Sequence, residues 1–238
     1  MRTGELTDVL PAGRRQLRIL VHAPGQAGLG QARAYLTADL LRRAAEVSRL
    51  LPLVSDFLPA DADVARLREA CDALNVHPPR DTFLGPASAL SGIPRFDVGI
   101  TAKAPGEIAG SARLWVQVPG NGVLVDTDAE AVIVRLSLLR HSHGDPIPDG
   151  SDSGDAAETL NRWRGLVARW ARSPSGAMSR RHADAIADAF ADDLDTPAAL
   201  RVMAELADDP AVPDGVKFET FAAADRLLGL DLARDIGR

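Results

Sequence analysis

Residues 17–22, LRILVH, are a short run of strand-type residues that passes straight into APGQAGLG and then into QARAYLTADLLRR. This succession constrains the fold more than any other part of the chain. A buried strand followed by a glycine-rich turn and a long helix is the opening of a parallel β-α-β unit. Over residues 31–47 the apolar positions Leu36, Leu40, Leu41 and Ala44 recur at helical spacing. Residues 51–58, LPLVSDFL, give a second strand, and a helix through VARLREACDALNV follows, with Asp61 or Asp63 placed to cap it. A right-handed crossover is expected.

The chain then loosens through HPPRDTFLGP. Strands are predicted over 96–102, 112–118 and 121–126, with the glycines at 120 and 122 making a turn. A helix follows in DAEAVIVRLSLLR, and HSHGDPIPDGSDSGD, 141–155, reads as a linker. Beyond it the pattern is helical: 156–172, 179–191, 197–208 and 216–235. Trp163 and Trp170, two turns apart, read as bundle core. The expected fold class is α/β, a reduced Rossmann-like parallel-sheet domain over 1–126 followed by an α-helical bundle domain over 127–238.

Charge divides with this organisation. Residues 1–126 hold 14 basic and 13 acidic side chains, residues 127–238 hold 13 and 20. An acidic second half argues against a broad nucleic-acid footprint there. The single cysteine, Cys71, falls among apolar helix positions and reads as inert core; it rules out an internal disulfide. No apolar run reaches the ~20 residues of a membrane span. The expected location is the cytoplasm, with no membrane partner.

Four stretches, in order along the chain, carry a resemblance: QARAYLTADLLRR, ACDALNVHPPRDT at 70–82, GEIAGSAR at 106–113 and FADDLDTPAALRVMAELADD at 190–209. Together they resemble cysteinyl-tRNA synthetases, class I synthetases that activate cysteine with ATP and pass it to an acceptor. The related mycothiol-pathway cysteine ligases fit nearly as well. The resemblance implies a nucleotide site at Pro24, Gly25, Gly28, Gly30 and Gln31. There Gly28-Leu29-Gly30-Gln31 stands where the family has a His-Ile-Gly-His-type loop. Backbone N–H groups at the helix start suit an anion, but both imidazoles are replaced. The glycines also fit a tight strand-to-helix turn with no ligand.

The family's second device is a lysine-rich mobile loop that neutralises phosphates. This sequence has two lysines, Lys103 and Lys217, neither in such a motif; AMSRR at 177–181 is a superficial match. The third is a zinc site selecting the cysteine thiolate. Its positions correspond to His22, Lys103 and Glu107, with no counterpart for the second cysteine near Phe96-Asp97-Val98. The resemblance thus implies a former zinc and substrate pocket at His22, Lys103 and Glu107, no zinc, and an ion pair of Lys103 with Glu107 in its place. Read without the resemblance, His22 is a packed strand-end histidine, and His141 and His143 are solvated linker residues.

Only ~10 residues around SALSGIPR stand where the family inserts its acceptor-end binding region, which leaves a tRNA acceptor end little to rest on. Two readings follow. In the first, the chain is a non-catalytic binding or regulatory module, a pseudoenzyme that takes ATP, AMP, an aminoacyl-adenylate-like ligand or a protein partner. In the second, it is a reduced ATP-dependent cysteine ligase acting with a partner subunit.

Overall fold

The computed structural model describes residues 15–24, 28–119, 130–147 and 153–237. The chain divides into two compact units, Met1–Thr127 with His143–Gly150, and Asp128–Ser142 with Ser151–Arg238. The strand predicted over 121–126 lies outside the described residues.

In the first unit, β1 (Gln16–His22), β2 (Leu51–Leu58), β3 (Asp81–Leu84), β4 (Phe96–Thr101) and β5 (Ala112–Gln117) form one parallel sheet in the order β3-β2-β1-β4-β5. Helices α1 (Leu29–Val47) and α2 (Val64–Ala73) carry the chain from β1 outward to β3. Right-handed crossovers place them on one face. There Tyr35 of α1 and Arg68 of α2 both reach Asp56 of β2. The return path uses two short 3₁₀ turns, Ala87–Leu90 and Gly106–Ser111, and therefore covers the opposite face. Leu90 and Ile108 from those turns pack with Leu20, Phe57, Phe96 and Ala112.

β3 is an addition to the sequence expectation, which left its residues in a loop. It is a four-residue edge strand whose side chains are mostly exposed, so it carries no apolar run for periodicity to detect. Asp63, rather than Asp61, caps α2, its side chain accepting from Arg66 N–H at 3.0 Å. The linker expected over 141–155 is divided: its first part returns to the sheet unit. Arg33, buried in the second turn of α1, donates to the carbonyls of His143 and Pro119, each at 3.3 Å.

The second unit contains α3 (Ala131–Leu139), α4 (Ser153–Trp170), α5 (Arg180–Ala191), α6 (Thr196–Asp208) and α7 (Asp214–Leu228). Three aromatic rings meet inside its largely aliphatic core. Trp163 and Trp170 both meet the edge of Phe221, at centroid distances of 5.8 and 5.1 Å. Asp195 caps α6 by accepting from Ala198 N–H at 2.9 Å, with Pro197 in the first turn. Gly229, at φ 67°, ends α7 in a left-handed cap that suits glycine, short of the 235 that the helical pattern predicts. Lys217 is buried here, its Nζ donating to the Ala207 carbonyl at 3.0 Å over the Trp170 ring. Among the described residues no helix is long and apolar enough to cross a membrane.

Candidate functional site

The strand order reverses between β1 and β4, and in open parallel sheets the crevice beyond the carboxyl ends at such a point is where ligands bind. His22 ends β1 and Thr101 ends β4, and the two are register partners. Chain connectivity brings the start of α1 to the same edge. Gly28 is its N-cap, in extended backbone conformation, with no side-chain cap and no acidic residue in the first turn. Such a helix start, without a carboxylate in its first turn, is of the kind that suits an anion. Gly30 is buried in the same turn. Gly25 lies outside the described residues.

The side chains around this edge are already engaged. Gln31 is buried, and its amide nitrogen reaches the carbonyls of Ala23 and Pro24 at 3.3 and 3.4 Å, tying the strand-end loop to α1. His22 is half-buried. Its ring stacks on Phe57 at 5.7 Å and meets Trp115 edge-on at 6.2 Å. Its Nδ1 lies 3.2 Å from the Thr101 hydroxyl. That hydroxyl donates to the Lys103 carbonyl at 2.6 Å and also lies 3.2 Å from the Lys103 N–H. Burial holds the His22 pKa below its ordinary value, so the ring is neutral at pH 7.

Trp115 can lie against His22 because Gly99 has no side chain. A Cβ at Gly99 would sit 2.5 Å from the Trp115 ring. The indole N–H is fixed by the Ala109 carbonyl at 2.9 Å. Sequence reasoning missed Phe57, Thr101 and Trp115 as neighbours of His22. The detectable signal was the place of Phe57 and Thr101 at or next to the ends of their strands.

Of the residues matched to a zinc site, His22 is linked to Lys103 through Thr101, and Glu107 belongs to a separate 3₁₀ turn. Lys103 follows β4 and is exposed; its backbone, through Thr101, is what approaches His22. Glu107 opens the second 3₁₀ turn and lines a cavity of about 260 Å³ with Arg95, Leu90, Phe96 and Ser111. Neither His22, Thr101 nor Lys103 belongs to that cavity wall. The expected Lys103–Glu107 ion pair is not formed: Lys103 sits in the turn beside the strand end, whereas Glu107 belongs to the 3₁₀ turn that runs back over the sheet. Among the described residues no three His, Cys, Asp or Glu side chains group as metal ligands. A lysine ammonium has no lone pair to give, so this set of side chains does not fit zinc.

Cys71 is buried, and burial pushes its thiol up to about 11, against a reactive role.

No protein-family model matches the sequence. It is similar to a curated protein, the L-cysteine:1D-myo-inositol 2-amino-2-deoxy-alpha-D-glucopyranoside ligase of Kribbella flavida, at 36% identity over 122 residues. The match covers 48% of this chain and 28% of that protein's length. This similarity supports a relationship to the ligase-like proteins of the cysteinyl-tRNA synthetase superfamily.

Proposed function

We propose that this chain is a ligase-derived binding module. It holds a nucleotide, AMP or ATP, or an aminoacyl-adenylate-like ligand at the carboxyl ends of β1 and β4, and does not activate an amino acid by itself. One observation carries this reading. At the crevice the backbone elements for an anion are in place, while the side chains that would stabilise a phosphoryl transition state are engaged elsewhere or neutral. The phosphate would rest on the first turn of α1, from Gly28 to Gln31. His22 stays uncharged, and Gln31 braces the loop.

Amino-acid activation builds negative charge on the transferring phosphates, and removing a preorganised donor from such a site typically costs about 10²–10³ in rate. Lys103 is the lysine of the sheet unit, and the sequence between β5 and α3 holds none. Zinc enters no step of this reading, because the side chains at His22, Lys103 and Glu107 do not fit it.

The similarity to a cysteine ligase favours one second reading, a reduced ATP-dependent ligase completed by a partner protein. The two are separated by ATP–pyrophosphate exchange with cysteine, run beside calorimetric titration of AMP. The binding module gives measurable AMP affinity and no exchange above background. Exchange that disappears when Gly30 is changed to a bulky residue would establish the ligase instead. No heat with AMP, ATP or a non-hydrolysable adenylate would leave a protein-binding role.

A further inference from the structure

The hydrogen bonds around His22 fix more than its position. The Thr101 hydroxyl has one proton, and the 2.6 Å contact to the Lys103 carbonyl requires that proton to lie between the two oxygens. Thr101 therefore meets His22 as an acceptor, and the ring must donate from Nδ1. A neutral imidazole with its proton on Nδ1 carries a bare lone pair on Nε2. Among the described residues no hydrogen bond reaches that nitrogen, and it is not among their sealed, unpartnered polar atoms. The ring is held from two sides, by Phe57 and by Trp115.

A phosphate clamp presents donors, whereas this nitrogen presents a lone pair. We propose that His22 is a hydrogen-bond acceptor that selects ligands whose acyl portion carries a donor, a protonated amine or a hydroxyl. This deepens the reading of the crevice as an adenylate-binding site and rests on it. The anionic part of the ligand belongs at the start of α1, where N–H groups point outward. The donor-bearing part belongs at His22, where a carboxylate or phosphate would meet a lone pair. A plain nucleotide fills only the first of these, so an aminoacyl adenylate is the better-matched ligand.

The acceptor role has a test that needs no ligand. Two-bond ¹H–¹⁵N correlation spectra of the imidazole at pH 7.5 should show His22 as the Nδ1–H tautomer in the full-length protein. Thr101→Val should move it toward the Nε2–H form common in free histidine. An Nε2–H or doubly protonated ring in the unaltered protein overturns the proposal.

The ligand test uses three sulfamoyl adenosines, seryl, alanyl and propionyl, which lose first a hydroxyl and then the amine. At least one of the two removals should weaken binding about tenfold or more. That step should shrink to less than about threefold in His22→Leu, with an unchanged far-ultraviolet circular dichroism spectrum as the check on folding. If His22→Leu does not fold, Thr101→Val, which keeps the imidazole, should lower the same step. Equal affinity for all three compounds with AMP still bound, or a step that survives in His22→Leu, sinks the His22 assignment. Failure of AMP and all three compounds to bind overturns the crevice reading as well.

Discussion

Asp56 shows what a single buried charge demands of its surroundings. It lies mid-strand with no exposure, and its Oδ2 accepts from the Tyr35 hydroxyl at 2.5 Å and from Arg68 at 2.8 Å. Burial and the neighbouring carboxylate push the Tyr35 phenol well above its ordinary range, so it acts as a permanent donor. Among the described residues Oδ1 of Asp56 is buried without a partner, so without the Tyr35 hydroxyl the carboxylate keeps only Arg68 as a donor. Tyr35→Phe should therefore lower stability by about 1–3 kcal/mol in urea denaturation, the cost of a lost donor to a buried acceptor.

His22 makes a pH-dependent contribution of known sign. Its folded pKa lies below the unfolded value of 6.5, so the unfolded chain binds the proton more readily. Its contribution to stability is complete above 6.5 and is lost as pH falls through and below that value. The unfolding midpoint should drop between about pH 7 and pH 5. His22→Leu should flatten that part of the profile.

At the scale of the element, α1 combines what the sequence made plain with what it hid. The strand-turn-helix succession is legible because apolar periodicity and glycine both report on it. Asp39 is not, because a charged residue in mid-helix reads as solvent-facing. Here it is 2% exposed and ligated by Arg42, Arg43 and the His77 N–H. That cluster, with Arg43 bonded to the Asn75 carbonyl, gives the ALNVHPP segment a structural task, fastening the chain after α2 to α1. The site was legible only as a place. Its occupants, Thr101 and Trp115, come from strands some eighty and ninety residues away, and only register brings them to His22. The 3₁₀ turns were hidden as well, being too short for a helical period to emerge.

The open N-cap of α1 gives the element-scale prediction. Gly28→Asp supplies a capping carboxylate and should raise the thermal midpoint or leave it unchanged. The same carboxylate occupies the anion position, so AMP affinity should fall at least about tenfold in calorimetric titration. Loss of stability without loss of affinity would show that the helix start is not where the phosphate lies.

For the whole molecule, the two units have separate cores and separate polar clusters. In the sheet unit these are built on Asp39 and Asp56, in the helical unit on Glu130 with Arg164 and Arg234. The candidate ligand contacts all fall in the first. Hydrogen exchange should therefore slow on AMP binding at residues 28–33 and around Thr101, while α4 and α7 keep their rates. Protection confined to the helical unit would relocate the ligand.

The missing side chain at Gly99 has an optical consequence. It lets Trp115 rest, partly exposed, beside His22, while Trp163 and Trp170, the other two tryptophans of the sequence, are sealed in the helical core. The three indoles therefore differ in their access to water and to quenchers. The long-wavelength, acrylamide-sensitive part of the emission should come from Trp115, the ring beside His22, and a ligand entering the proposed crevice should change it.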